Sequence, residues 1–169
     1  MLALKANNGV MQIVAFNIYL KTDSAERKAA LKELREEFKL ADNVSLQSVK
    51  RGPVGGLSEA QREQFLKRVT ELDAKFPAPT RSTVKALGDH IDYAVKKMGI
   101  AHVGIASDFD GGGGIDGWNH AGETLNVTIE LVRRGYTEAQ IAQLWSGNLL
   151  RVMGDVEKVA KQLQTQSKS

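Results

Sequence analysis

Two short apolar runs constrain this chain more than anything else in it. Val10-Met11-Gln12-Ile13-Val14-Ala15-Phe16 follows a Gly turn, and His102-Val103-Gly104-Ile105-Ala106-Ser107 follows another at Gly99. Neither alternates cleanly between apolar and polar residues, so each reads as a strand buried on both faces, the habit of parallel sheets. Parallel neighbours need a long crossover, usually helical. The stretch between them has that character. Residues 24–39, rich in Ala, Glu, Lys, Leu and Arg, predict a polar surface helix with Leu31, Leu34 and Phe38 on one side. Residues 44–57 read as a Gly- and Pro-containing connection without periodicity. Ser58-x-x-Gln61 predicts a capping box, and Phe65, Leu66, Val69 and Leu72 form the stripe of the helix that follows, before Pro77 and Pro79.

Ser82 is expected to open a third helix, carried by Val84, Leu87, Ile91, Val95 and Met98 and stopped at Gly99. After the second strand, helices are expected over about 123–134, from the Thr137-x-x-Gln140 cap with Ile141, Leu144 and Trp145 inward, and over about 149–164. Met1 to Gly9 reads as the end of a helix closing at Gly9. This order is α/β grammar. Two strands do not complete a parallel sheet, and an eight-stranded α/β barrel takes about 250 residues. The expected fold is therefore α/β: the C-terminal portion of a (β/α)8 TIM-like barrel. Residues 1–169 form a single partial domain, with a helical insertion at 21–81. A chain opening inside an element is expected to have a missing upstream part.

Composition excludes several function classes. The net charge of +3 comes from 23 basic and 20 acidic residues, intermixed as in Glu33-Leu34-Arg35-Glu36-Glu37. No basic stripe with interleaved aromatics is present, so no nucleic-acid partner is expected. The absence of cysteine removes disulfides and thiolate metal sites. No run approaches 18 apolar residues, so no transmembrane segment is expected. Met1 to Gly9 lacks the order of a signal peptide, which leaves the compartment open.

In α/β barrels the chemistry sits at the C-terminal ends of the strands. Asp108 stands there, directly after the second run and before Gly111 to Gly114. A carboxylate so placed can ligate a metal, act as a general base or hold an ammonium group; it can also simply cap a turn. As a phosphate loop the Gly tract lacks both the Lys-Ser/Thr of a P-loop and the Gly-x-Gly-x-x-Gly spacing. As a calcium loop, Asp108-x-Asp110-Gly111 lacks its twelfth-position Glu, since Asn119 stands there. Phe16 and Asn17 end the first strand on the same face as Asp108, and Phe16 is either core or a pocket wall. Trp118 is expected to pack, Asp110 to fix the loop, and Asn148 to cap a helix. His90 falls in a helix, His102 starts a strand about 20 Å from Asp108, and His120 lies in the loop after the glycines.

The run His102-Val-Gly-Ile-Ala-Ser-Asp-Phe-Asp-Gly-Gly-Gly-Gly114 resembles the signature of the membrane (renal) dipeptidase family, zinc metallopeptidases of the amidohydrolase-like superfamily. Asp89-His90-Ile91-Asp92-Tyr93 upstream is similar to the family's Asp-His-Leu/Ile-Asp helix. Glu130-Leu-Val-Arg-Arg-Gly-Tyr-Thr137 and Gly147-Asn-Leu-Leu-Arg-Val152 resemble its C-terminal helices, and Gly9-Val-Met-Gln-Ile13 the preceding strand. The resemblance covers nearly the whole chain except the helical excursion. It implies a (β/α)8 barrel with a dinuclear zinc cofactor and a dipeptide substrate. It gives Asp108 the role of the aspartate that takes a proton from the attacking water and hands it to the leaving amine, with Phe16 and Asn17 near the substrate. The family's metal ligands are a His-x-Asp pair on the first strand, a bridging Glu and two later histidines, and its substrate-binding His and Arg also precede the part matched here. None of these aligns with a residue of this chain, so its metal set is expected to be empty. The expected product is the C-terminal portion of a zinc dipeptidase, inactive alone. It would work with an N-terminal half, or exist as a truncated fragment that forms a homo-oligomer.

Overall fold

The computed structural model describes residues 1–166. Its elements are α1 (Leu2–Ala6), β1 (Met11–Val14), α2 (Asn17–Leu20), α3 (Ala25–Glu37), α4 (Leu46–Arg51), α5 (Glu59–Lys75), α6 (Val84–Met98), β2 (Val103–Ala106), α7 (Thr124–Arg133), α8 (Glu138–Ala142) and α9 (Asn148–Gln166). A π-helical turn, Gln143–Gly147, joins α8 to α9. Among the described residues no helix is long and apolar enough to cross a membrane. The chain divides into two compact units: residues 1–20 with those from Arg81 onward, and Lys21–Thr80.

In the first unit β1 and β2 pair in parallel, with Met11 opposite Val103 and Val14 opposite Ala106. Successive strand residues point to opposite faces. One face presents Met11, Ile13, Val103 and Ile105 to a core that includes Leu87, Ile91, Ala94 and Met98 of α6, Val127 and Leu131 of α7, and Leu144. Leu87, Ile91 and Met98 are fully buried. The other face carries Gln12, Val14, Gly104 and Ala106. Gly104 leaves room there for the Gln12 side chain, because a Cβ at residue 104 would stand 2.7 Å from Gln12 Cδ. The strands are shorter than the apolar runs that announced them. Ala15 still bonds through its N–H to Ala106 O at 2.8 Å, but Phe16 already turns back on Val14 O and Asn17 begins α2.

Local signals explain the helix ends. Thr137 and Gln140 form a complete capping box on α8, each side chain bonding the other's backbone N–H. Thr83, not Ser82, caps α6 by accepting from Ala86 N; Ser82 is buried and its backbone N–H is taken by Asn17 Oδ1 at 2.5 Å. His102 ends a short 3-10 turn rather than opening the strand.

α6 and α7 are stapled by Arg134. Its guanidinium donates to Asp92 at 2.5 Å, Asp89 at 2.9 Å, Glu130 at 2.9 Å and the Lys85 carbonyl at 2.8 Å. Burial works against the charge, but these carboxylates outweigh it and hold Arg134 above the ordinary arginine range. The guanidinium lies against Gly88, where a Cβ would stand 2.6 Å from Arg134 Cζ.

The second unit packs α3, α4 and α5 around Leu34, Leu40, Val49, Leu57, Phe65 and Val69. Ser58 and Gln61 form the capping box that opens α5. The stretch expected as a plain connection contains α4, whose Ser45 cap and buried Val49 give it a turn and a half of helix. On α3, Arg27 is buried as well as Leu31 and Leu34, and is bonded to Asp23, Asp73 and the Phe76 carbonyl.

Candidate active site

Asp108 lies two residues beyond the end of β2 at Ala106, and the backbone there is unusual. Asp108 and Asp110 both have left-handed φ angles, 56° and 65°, a region that costs a residue with a Cβ roughly 1 kcal/mol or more. The Gly loop holds them in it. Gly111 and Gly113 donate their N–H groups to the Asp108 carbonyl at 3.2 and 2.8 Å, and Gly114 N–H bonds Ala15 O at 2.8 Å. Three of the four glycine N–H groups are thus taken by backbone carbonyls, two within the loop and one at the end of β1. A phosphate cradle needs those donors directed outward, so the structure argues against one.

The loop needs its glycines for space as well as for φ. A Cβ at Gly113 would strike the Ser107 carbonyl and stand 2.6 Å from that of Asp108, both backbone atoms. Gly112 lies under the Phe16 ring, whose Cε2 and Cζ are 3.4 Å from the position of a Cβ. Beyond the Ala15–Ala106 hydrogen bond, the ends of β1 and β2 are therefore also joined by the Gly114 hydrogen bond and by the seating of Phe16 on Gly112. Phe16 is half-buried and stacks edge-on with Tyr19 at 4.9 Å. Asn17 holds Ser82 N–H, as described above. Asp108 itself is exposed. Asp108, Phe16 and Asn17 thus gather at one end of the sheet.

The other polar candidates have structural partners. His102 Nδ1 bonds the Gly9 carbonyl at 2.8 Å, at the opposite end of the sheet. His90 Nε2 meets Leu20 O at 3.2 Å. His120 Nδ1 accepts from Gly122 N at 3.1 Å, closing a 3-10 turn. His90-Ile91-Asp92 has His-x-Asp spacing, but it lies on α6, and Asp92 is committed to Arg134 and Tyr136. Among the described residues no group of three or more His, Cys, Asp or Glu side chains could hold a metal ion. Trp118 is buried, edge-on to Phe109 at 5.5 Å and to Trp145 at 5.6 Å, with its indole N–H on Thr124. Asn148 is not a helix cap. It is buried and its amide donates to the Ile100 and Val103 carbonyls at 2.7 and 2.8 Å, tethering α9 to the start of β2.

A family model described as membrane dipeptidase (peptidase family M19) matches residues 1–167. The chain belongs to that family. Among curated relatives, dipeptidase aclJ of Aspergillus oryzae is 40% identical over 78 residues, 46% of this chain and 18% of the relative. Dipeptidase verJ of Clonostachys rogersoniana is 32% identical over 103 residues, 59% of this chain and 24% of the relative. The crystal structure of the probable dipeptidase PvdM from Pseudomonas aeruginosa superposes with a TM-score of 0.66 at 40% identity, covering 92% of this chain and 39% of that one. The chain thus spans about a fifth to two fifths of the length of these dipeptidase-family proteins.

Proposed function

We propose that this chain forms the C-terminal portion of a zinc-dependent dipeptidase, folded as the last part of a (β/α)8 barrel, with Asp108 as its proton carrier. The observation that carries the reading is the position of Asp108: an exposed carboxylate residue two positions beyond a strand of a parallel sheet, in a chain matched over residues 1–167 by the dipeptidase family model. The Asp108 carboxylate takes a proton from the water that attacks the peptide carbonyl. The new C–O bond forms, the C–N bond breaks, and the same proton passes to the leaving amine, returning Asp108 to its starting state. Phe16 forms a wall of the pocket beside the loop. Asn17, whose carbonyl oxygen is occupied by Ser82 N–H, offers its amide NH2 to the dipeptide.

The side chains of this chain do not by themselves fit a dinuclear zinc centre, since no three potential ligands converge among the described residues. The reading therefore assigns the metal ligands to residues outside this chain. Zinc content and dipeptide hydrolysis, measured on this chain alone and on the full-length protein, test that assignment. Turnover and two bound zinc ions are expected only for the full-length protein. Stoichiometric zinc and hydrolysis by this chain alone would overturn it.

A further inference from the structure

Resting on the reading of Asp108 as proton carrier, we infer that Gly111 is a positioning residue that sets the direction of the Asp108 carboxylate. The Asp108 side chain folds over the loop that follows it and lies against Gly111. A Cβ at residue 111 would collide with Oδ1 and stand 3.0 Å from Cγ and 3.3 Å from Oδ2. All three neighbours belong to this one side chain, and no backbone atom is among them. Gly111 also lies outside the left-handed region occupied by Gly112 and Gly114. A methyl group at residue 111 is thus compatible with the backbone, and what must move is the far end of Asp108.

Gly113 is the instructive contrast. Its Cβ would meet two backbone carbonyls, so a side chain there breaks the clamp and the loop with it. Of these two glycines, one keeps the loop folded and the other leaves a bare surface for a carboxylate. Displacing a reacting group by about 1 Å can cost on the order of 100-fold in rate. Because Gly111 acts through Asp108, the loss should appear in kcat rather than in KM.

The test is a double-mutant cycle in the full-length, zinc-loaded protein, with Gly111→Ala, Asp108→Asn and the pair, each assayed for dipeptide turnover and thermal midpoint. Gly111→Ala is expected to lower kcat by about 10- to 100-fold with KM and the thermal midpoint unchanged. Added to Asp108→Asn, it should lower turnover no further, and a crystal structure of the single variant should show the carboxylate rotated away from residue 111. Unchanged kcat in Gly111→Ala beside an inactive Asp108→Asn would overturn the inference and leave the role of Asp108 standing. A further loss in the double variant, or a Gly111→Ala protein that fails to fold, would also overturn it by showing a general loop defect. Full activity of Asp108→Asn would remove the reading on which the inference rests.

Discussion

The Tyr136 hydroxyl donates to Asp92 at 2.8 Å, on the side of that carboxylate away from Arg134. Burial, and then the hydrogen bond and charge of Asp92, push the Tyr136 phenol above its usual range. The native state therefore keeps a proton that the unfolded chain releases near pH 10. Stability should fall as pH rises past about 10, and the fall should continue toward the higher native value. Urea titrations at several alkaline pH values are expected to show this slope in the wild type and a smaller one in Tyr136→Phe. At neutral pH that variant should lose about 1.5–3 kcal/mol, the worth of a hydrogen bond to a charged group. None of this was legible in Glu130-Leu-Val-Arg-Arg-Gly-Tyr-Thr137, where Arg134 looks no different from Arg133. Only docking on α6 selects Arg134, and the bare Gly88 on that helix marks the spot. The placement of Asp108 beyond β2 was legible because it is a property of strand order. The contact between its carboxylate and Gly111 depends on the fold of the loop and was not.

At the scale of elements, whatever depends on neighbours in the chain could be read in advance. The capping boxes at Ser58-Gln61 and Thr137-Gln140 need only residues three apart. Thr137→Ala is expected to cost about 1 kcal/mol in thermal or chemical unfolding. The apolar stripe of α6 was equally plain, because its spacing is that of the helix itself. Ile91 lies fully buried in the core it forms, so Ile91→Ala should cost about 2–5 kcal/mol through lost burial and the cavity left behind. What escaped were elements fixed by tertiary contact. α4 exists because Val49 is buried in the core of its unit, and no periodicity announces so short a helix. Asn148 has the composition of a cap, yet its amide is drawn to two carbonyls at the start of β2. The strands were found but overestimated in length, since Phe16 and Ser107 are apolar or small enough to extend a run while the backbone has already turned.

For the whole molecule, a parallel two-stranded sheet backed by helices on one face gathers Asp108, Phe16 and Asn17 at a single end. The chemistry proposed for that end needs a metal centre for which this chain has no ligand cluster among its described residues. On the proposed function, metal binding lies outside the chain and proton transfer falls to Asp108. The most direct measurement is turnover of a dipeptide by the full-length protein carrying Asp108→Asn, with its zinc content determined in the same sample. Asparagine keeps the size of the side chain and removes the proton-accepting charge. Unchanged zinc content is expected, with turnover lowered by about 10²- to 10⁴-fold, the usual range for losing a general acid–base. Undiminished turnover in a fully metallated Asp108→Asn protein would contradict that role for Asp108.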